Sequence, residues 1–204
     1  PLADCAYLIF TSAFHHHADA LDVQIATSRD GRHWERPDRR PAITLGPVGA
    51  FDSEQIYVAA GEADVGDEIW LYHGGYDVGH NVARPGKCSA AIGRVRWLRD
   101  RFVAWEAGAK GGELITKPFT FSGKHLVINY DASAGGKLQV ALEEADGRPL
   151  PGLGFDDCPV LWGNRLDGPV SWKGEARLAE LAGKPVRLRF RGTNLRLYAF
   201  QFVE

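Results

Sequence analysis

Short apolar runs that alternate with polar residues, each closed by glycine, proline or an Asp-Gly pair, limit this chain to β-structure. Val186, Leu188 and Phe190 alternate with Arg187, Arg189 and Arg191. That period of two points one set of side chains to a core and the other away from it. Ile69 and Leu71 alternate with Trp70 and Tyr72 in the same way. Only Gly174 to Gly183 has the three-and-four spacing of a helix, over a stretch short enough to be one turn or a loop. Glycine (24) and proline (11) are spread evenly, so turns recur along the whole length and an all-β fold is expected.

The first hundred residues read as repeated strand units. Tyr7 to Ala13 is a strand, followed by a polar loop with His15, His16, His17 and Asp19, then a strand from Leu21 to Ser28. Asp30-Gly31 is a strong hairpin signal, with His33 to Arg36 as the short returning strand. After Pro37 to Ala50 the order recurs with one strand more: Gln55 to Ala60, Glu68 to Gly74 across the Gly66-Asp67 turn, Ser89 to Trp97, and Phe102 to Trp105. Antiparallel units of four strands at this spacing suggest a partial β-propeller of about two blades, over residues 1–108. Fewer than two complete blades cannot close a ring. Earlier blades upstream, or other copies of the chain, are therefore expected to complete it, and the absence of methionine favours a longer parent.

From Gly111 the pattern changes, with Ala107 to Gly112 as the expected boundary. Leu114 to Thr120, Lys124 to Tyr130, Lys137 to Glu143, Val160 to Trp162, Val170 to Trp172, Val186 to Arg191 and Leu195 to Val203 read as strands. Ala134-Gly135-Gly136, Asp146-Gly147 and Gly192-Thr193-Asn194 supply turns. Seven short strands at this spacing fit a β-sandwich or jelly roll over residues 109–204.

Charge narrows the partners. Basic (24) and acidic (26) residues nearly cancel and no basic run occurs, which argues against nucleic acid and anionic membranes. No apolar stretch is long enough to span a bilayer as a helix. Cys5, Cys88 and Cys158 form no C-x-x-C pair. They read as three buried thiols, or as one disulfide and a free thiol if the protein is secreted.

Three regions carry a family resemblance. Ile25-Ala26-Thr27-Ser28-Arg29-Asp30-Gly31-Arg32-His33-Trp34 resembles a hairpin of the five-bladed propellers of the glycoside hydrolase family 32 and 43 superfamily. Phe51-Asp52-Ser53-Glu54-Gln55-Ile56-Tyr57, with Asp67-Glu68-Ile69-Trp70-Leu71-Tyr72-His73-Gly74-Gly75, resembles a later blade of that group. Leu181 to Phe190 and Leu197 to Phe200 are similar to the sandwich appended to some members. The early-blade signatures of family 32 enzymes are absent, so a complete catalytic set does not carry over. The resemblance implies a carbohydrate partner, and an extracellular or periplasmic location is expected.

Propeller geometry narrows the search for a site. The start of a blade's first strand and the end of its second lie at one end of the ring. Asp52 and Glu54 should therefore stand beside the loop with Tyr76, Asp77, His80 and Asn81, and the preceding blade should bring His15, His16, His17 and Asp19 to the same end. Carboxylates and amides hydrogen-bond sugar hydroxyls, and aromatic faces pack on sugar C–H surfaces. Asp52 and Glu54 are the candidate catalytic acids. Tyr76, Asp77, His80, His15, His17 and Asp19 are the candidate substrate contacts. Asp52 also fits a turn cap, and the histidine run a plain polar loop. Trp34, Trp70, Trp97 and Trp105 read as packing between blades. Asp156, Asp157, Asn164 and Asp167 offer oxygen ligands but match no defined calcium loop. No metal or cofactor is expected. The expected function is glycoside hydrolysis at the propeller mouth. The alternatives are a non-catalytic carbohydrate-binding module and a protein-interaction module on the same scaffold.

Overall fold

The computed structural model describes residues 6–82, 88–133, 135–173 and 178–204. The fold is all-β, and its sheets do not close into a barrel. The chain divides into two compact units, residues 1–99 and 100–204.

In the first unit, β1 (Tyr7–His15) and β2 (Ala20–Ser28) form a hairpin, registered from Tyr7↔Ser28 to His15↔Ala20. β3 (Gln55–Val58) and β4 (Ala63–Val65) lie end to end along one edge of β5 (Glu68–Tyr76), and β6 (Ala90–Leu98) runs along the other. Gly66, at a φ of 61°, makes the β4–β5 turn as its position next to Asp67 suggests. One parallel bridge, Leu21↔Gln55, joins the hairpin to the rest. Val23, Ile43 and Ile56 are buried together, with Phe10, Val58, Val95 and Trp97 against them. The Phe10 and Trp97 rings lie 5.6 Å apart, so the hairpin and β6 contribute to one core. Burying Ile56 completely contributes about 1.5–3 kcal/mol.

The expected returning strand at His33 to Arg36 shrinks to a single bridge, Glu35↔Thr27, and Ile43 of the long connection bridges Val23 beside it. Several short segments thus share the free edge of β2 instead of one strand. Of the four tryptophans expected between blades, Trp97 enters this core, whereas Trp34 is 38% exposed. Trp70 turns outward, donating to Glu68 Oε2 at 2.7 Å under the Arg94 guanidinium.

The second unit begins earlier than the sequence pattern suggests. Trp105 belongs to β7 (Trp105–Ala107), which pairs with β13 (Leu195–Val203) and not with β6. Ala107 is buried in the second core and Trp105 packs on it, and apolar burial decides the pairing. One sheet runs in the order β10 (Lys137–Glu144), β12 (Val186–Thr193), β8 (Gly112–Ile115). The other runs β11 (Gly163–Val170), β9 (His125–Ala132), β13, β7. Leu138, Val140, Leu142, Leu188 and Phe190 of the first meet Leu126, Ile128, Val170 and Leu197 of the second in one buried cluster. Trp172 caps it, donating Nε1 to the Val140 carbonyl at 2.9 Å. Arg101 ties β9 to β11 through Asn129 Oδ1 (2.8 Å) and Asn164 Oδ1 (2.7 Å).

Val160 to Trp162 is not a strand but a bridge from Leu161 to Leu138, and the polar stretch Gly163 to Val170 forms β11 instead. Of the expected helical turn, Leu178–Leu181 is helix α1, and residues 174–177 lie outside the described residues. Cys5 and Ala134 lie outside them as well. Cys158 is buried, but Cys88 is exposed, and both are free thiols.

Candidate functional site

The first unit gathers its polar residues at one end of the sheet because five strand ends meet there: the close of β1 and β5 and the start of β2, β3 and β6. The β1–β2 turn, His16 to Asp19, carries Asp19 at a φ of 55°, a left-handed conformation that aspartate tolerates better than most residues. The Asp19 carboxylate accepts from the Asn81 main-chain N–H (3.0 Å) and side-chain amide (2.6 Å), and its carbonyl accepts from His80 N (2.8 Å). The loop after β5 is thereby pinned to the β1–β2 turn. A Cβ on Gly79 would lie 2.5 Å from Asp19 Oδ2 and so push aside the carboxylate that holds Asn81.

His80 meets buried Gln55 and half-buried Tyr57. Its Nδ1 is 3.0 Å from the Tyr57 hydroxyl and 3.2 Å from Gln55 Oε1, while Gln55 Nε2 donates to the Val78 carbonyl at 2.7 Å. The Tyr76 ring stands edge-on to Tyr57 at 6.0 Å. Burial, then the neighbouring Tyr76, push the Tyr57 phenol above its ordinary value. Asp77 closes the loop from within: its carboxylate accepts from Ser89 N at 2.7 Å.

Asp52 takes a different partner. Its Oδ2 lies 3.5 Å from Nε2 of His73, whose side chain is 7% exposed. Phe51 stacks parallel to the imidazole, at 6.1 Å and 12°. Three glycines make this space by lacking a side chain. A Cβ on Gly46 would fall 2.1 Å from Asp52 Oδ1, on Gly75 2.5 Å from Asp52 Cβ, and on Gly93 2.4 Å from His73 Nε2. Neither imidazole nitrogen has a hydrogen-bond partner among the described residues. A buried polar group left without a partner costs free energy that the surrounding packing must offset. Glu54 follows on the same approach to β3, with its N–H bonded to the Tyr76 carbonyl and its carbonyl to Leu21 N.

Register separates these two groups. His73 pairs with Val58 and faces with Ile56 toward the core, whereas Tyr57 pairs with Gly74 and points to the other side. Asp52 and His80 therefore share an end of the sheet but lie on opposite faces of the β3–β5 pair. His15 makes a third contact, Nε2 to Asp22 Oδ2 at 2.8 Å. His17 is exposed in the turn, and the His16 ring packs edge-on against Phe14 at 4.5 Å.

His73, Gln55, Tyr57 and Asp22 were not singled out from the sequence. His73 had a readable signal, since it occupies the inward phase of Ile69 and Leu71. Asp22 had none, because it alternates with Leu21 and Val23 like a solvent-facing residue and is buried only because β2 is covered on both sides.

Comparison of the chain with protein-family models, with curated proteins and with solved structures found no match.

Proposed function

We propose that this is a carbohydrate-active protein whose sugar-binding surface is the end of the first unit where β1, β2, β3, β5 and β6 meet. The observation that carries it is the grouping of Tyr57, Tyr76, His80, Gln55, Asp19 and Asn81 there, cross-linked by short hydrogen bonds. Aromatic faces and fixed amide, imidazole and carboxylate groups are what a sugar's C–H faces and hydroxyls require. Asp52 and Glu54 arrive at the same end, and Asp52 with His73 forms a mostly buried carboxylate–imidazole pair. Glycoside hydrolysis uses a pair of carboxyl groups, and Asp52 and Glu54 are the two this reading offers.

The fold is read accordingly as two layered propeller-type blades followed by a sandwich of two sheets. Ile92 (81% exposed) and Tyr72 (44%) stand on the outer side of β5–β6 among Arg94, Arg96 and Glu68, a mixed face that this reading assigns to contact with a further blade. The test is a panel of neutral oligosaccharides offered to the full chain, scored for binding and for released reducing ends. Hydrolysis lost in Glu54→Gln or Asp52→Asn with binding retained supports a hydrolase. Binding without hydrolysis in the wild type supports a binding module. Binding unchanged in Tyr76→Ala and His80→Ala removes this surface from the account.

A further inference from the structure

The outward face of the β10–β12–β8 sheet carries three arginines, and among the described residues the last of them is in no ion pair. Arg187 Nε donates to Glu143 Oε2 at 2.7 Å. Arg189 Nη2 meets Glu113 Oε2 at 2.6 Å, and its Nη1 lies 3.6 Å from Glu143 Oε1. Arg191 stands between Gln139 on β10 and Glu113 on β8, and the Glu113 carboxylate turns to Arg189. The Gln139 Oε1 accepts from Arg191 Nε and Nη2 at 3.2 and 3.0 Å. Its Nε2 in turn donates to the carbonyls of Phe155 (3.0 Å) and Cys158 (3.1 Å). The guanidinium also lies 4.2 Å over the Phe155 ring. Neutral groups thus fix Arg191 in place, and among the described residues no carboxylate pairs with it.

Arg191 borders an open groove of about 450 Å³ that Lys110 and Lys137 also line. Both lysines are exposed, and among the described residues neither is in an ion pair. The acid in the lining, Glu113, is already held by Arg189. A guanidinium whose orientation is set in advance loses little entropy on binding and presents parallel N–H groups to an oxyanion, and two mobile ammonium groups add attraction.

We infer that this groove binds a ligand bearing a carboxylate or sulfate group, with Arg191 as the orienting contact and Lys110 and Lys137 as its rim. The inference stands apart from the reading of the first unit. A free inorganic anion and an acidic sugar offer the same chemistry, and the experiment separates them. The full chain is titrated calorimetrically, at fixed ionic strength, with sodium sulfate, with a sulfated oligosaccharide and with its unsulfated parent. Binding of the sulfated sugar or of sulfate alone, weakened about tenfold or more by Arg191→Gln, supports the site and names the source. Lys110→Gln/Lys137→Gln alters only exposed side chains and so keeps the test valid if Arg191→Gln fails to fold. It should weaken binding several-fold. No binding of either anion, equal binding of the unsulfated parent, or unchanged affinity in both variants overturns the inference.

Discussion

Two neighbouring glycines of β5 should respond in opposite ways to the same added methyl group. At Gly75 a Cβ would lie 2.5 Å from Asp52 Cβ, 2.8 Å from Asp52 Cα and 2.8 Å from Phe51 Cε2. Two of those atoms belong to Asp52's Cα–Cβ unit, so rotating a side chain cannot relieve the clash; the Phe51–Asp52 segment must lift off the strand. At Gly74 a Cβ meets nothing within 4 Å. Neither glycine has a positive φ, so alanine is not strained by backbone conformation at either place. Overpacking costs about 1–3 kcal/mol, whereas removing a glycine from a strand interior gains about 0.5–1 kcal/mol. Gly75→Ala should therefore lose about 1–2 kcal/mol net and Gly74→Ala should gain up to about 1 kcal/mol. Because the chain has two units, a global melt mixes their transitions. Hydrogen–deuterium exchange of peptides spanning β3 and β5 reads the first unit alone. Exchange there should rise roughly 5–30-fold in Gly75→Ala, and it should be unchanged or slower in Gly74→Ala. Equal effects at the two positions would refute the tight seating of Asp52 over β5.

The remaining expectations concern packing, thiols and pH. Phe190 is fully buried among both sheets of the second unit, and Phe190→Ala should cost about 3–5 kcal/mol, measured by hydrogen–deuterium exchange of peptides spanning β10 and β12. In the native protein Cys88 should alkylate readily, while Cys158, buried and with its thiol pushed up by that burial, should label only on unfolding; equal rates by peptide mass spectrometry would contradict this. The Asp30 carboxyl is held well below the usual carboxylate range, first by the His33 side chain and then by the main-chain N–H groups of His33 and Arg32. A lowered carboxylate stabilises the fold above its unfolded pKa and ceases to as pH falls toward the folded value. The Ser28–Trp34 turn should then stay ordered at neutral pH and loosen only below about pH 4. Amide signals from that turn already lost near pH 6 would contradict the assignment.

Local rules carried well from sequence to fold. The alternation of Val186, Leu188 and Phe190 with three arginines reappears as buried and half-buried positions of β12. Asp30-Gly31 and Gly66-Asp67 make turns because their residues tolerate the required backbone. Partner choice did not carry. Trp105 follows a turn after β6 in a way that suits a hairpin, yet it pairs with β13, and nothing within a few residues of it encodes a partner about ninety positions away. β11 was hidden because Gly163-Asn164-Arg165 and Gly168-Pro169 read as turn residues, and its pairing with β9 carries an irregularity between Arg165 and Gly168. At the candidate site, the end of the sheet to which Asp52, Glu54, Tyr76, Asp77 and His80 belong was legible from strand direction. Their individual partners were not, since the pinning of Asn81 by Asp19 spans sixty-two positions.

The most direct test of a sugar surface at the strand-end cluster is hydrogen–deuterium exchange on the full chain with and without each neutral oligosaccharide of the panel. Slowed exchange confined to peptides covering His15–Asp19, Asp52–Tyr57 and Tyr76–Asn81 is the predicted result. Protection only elsewhere, or none with any sugar, would contradict it.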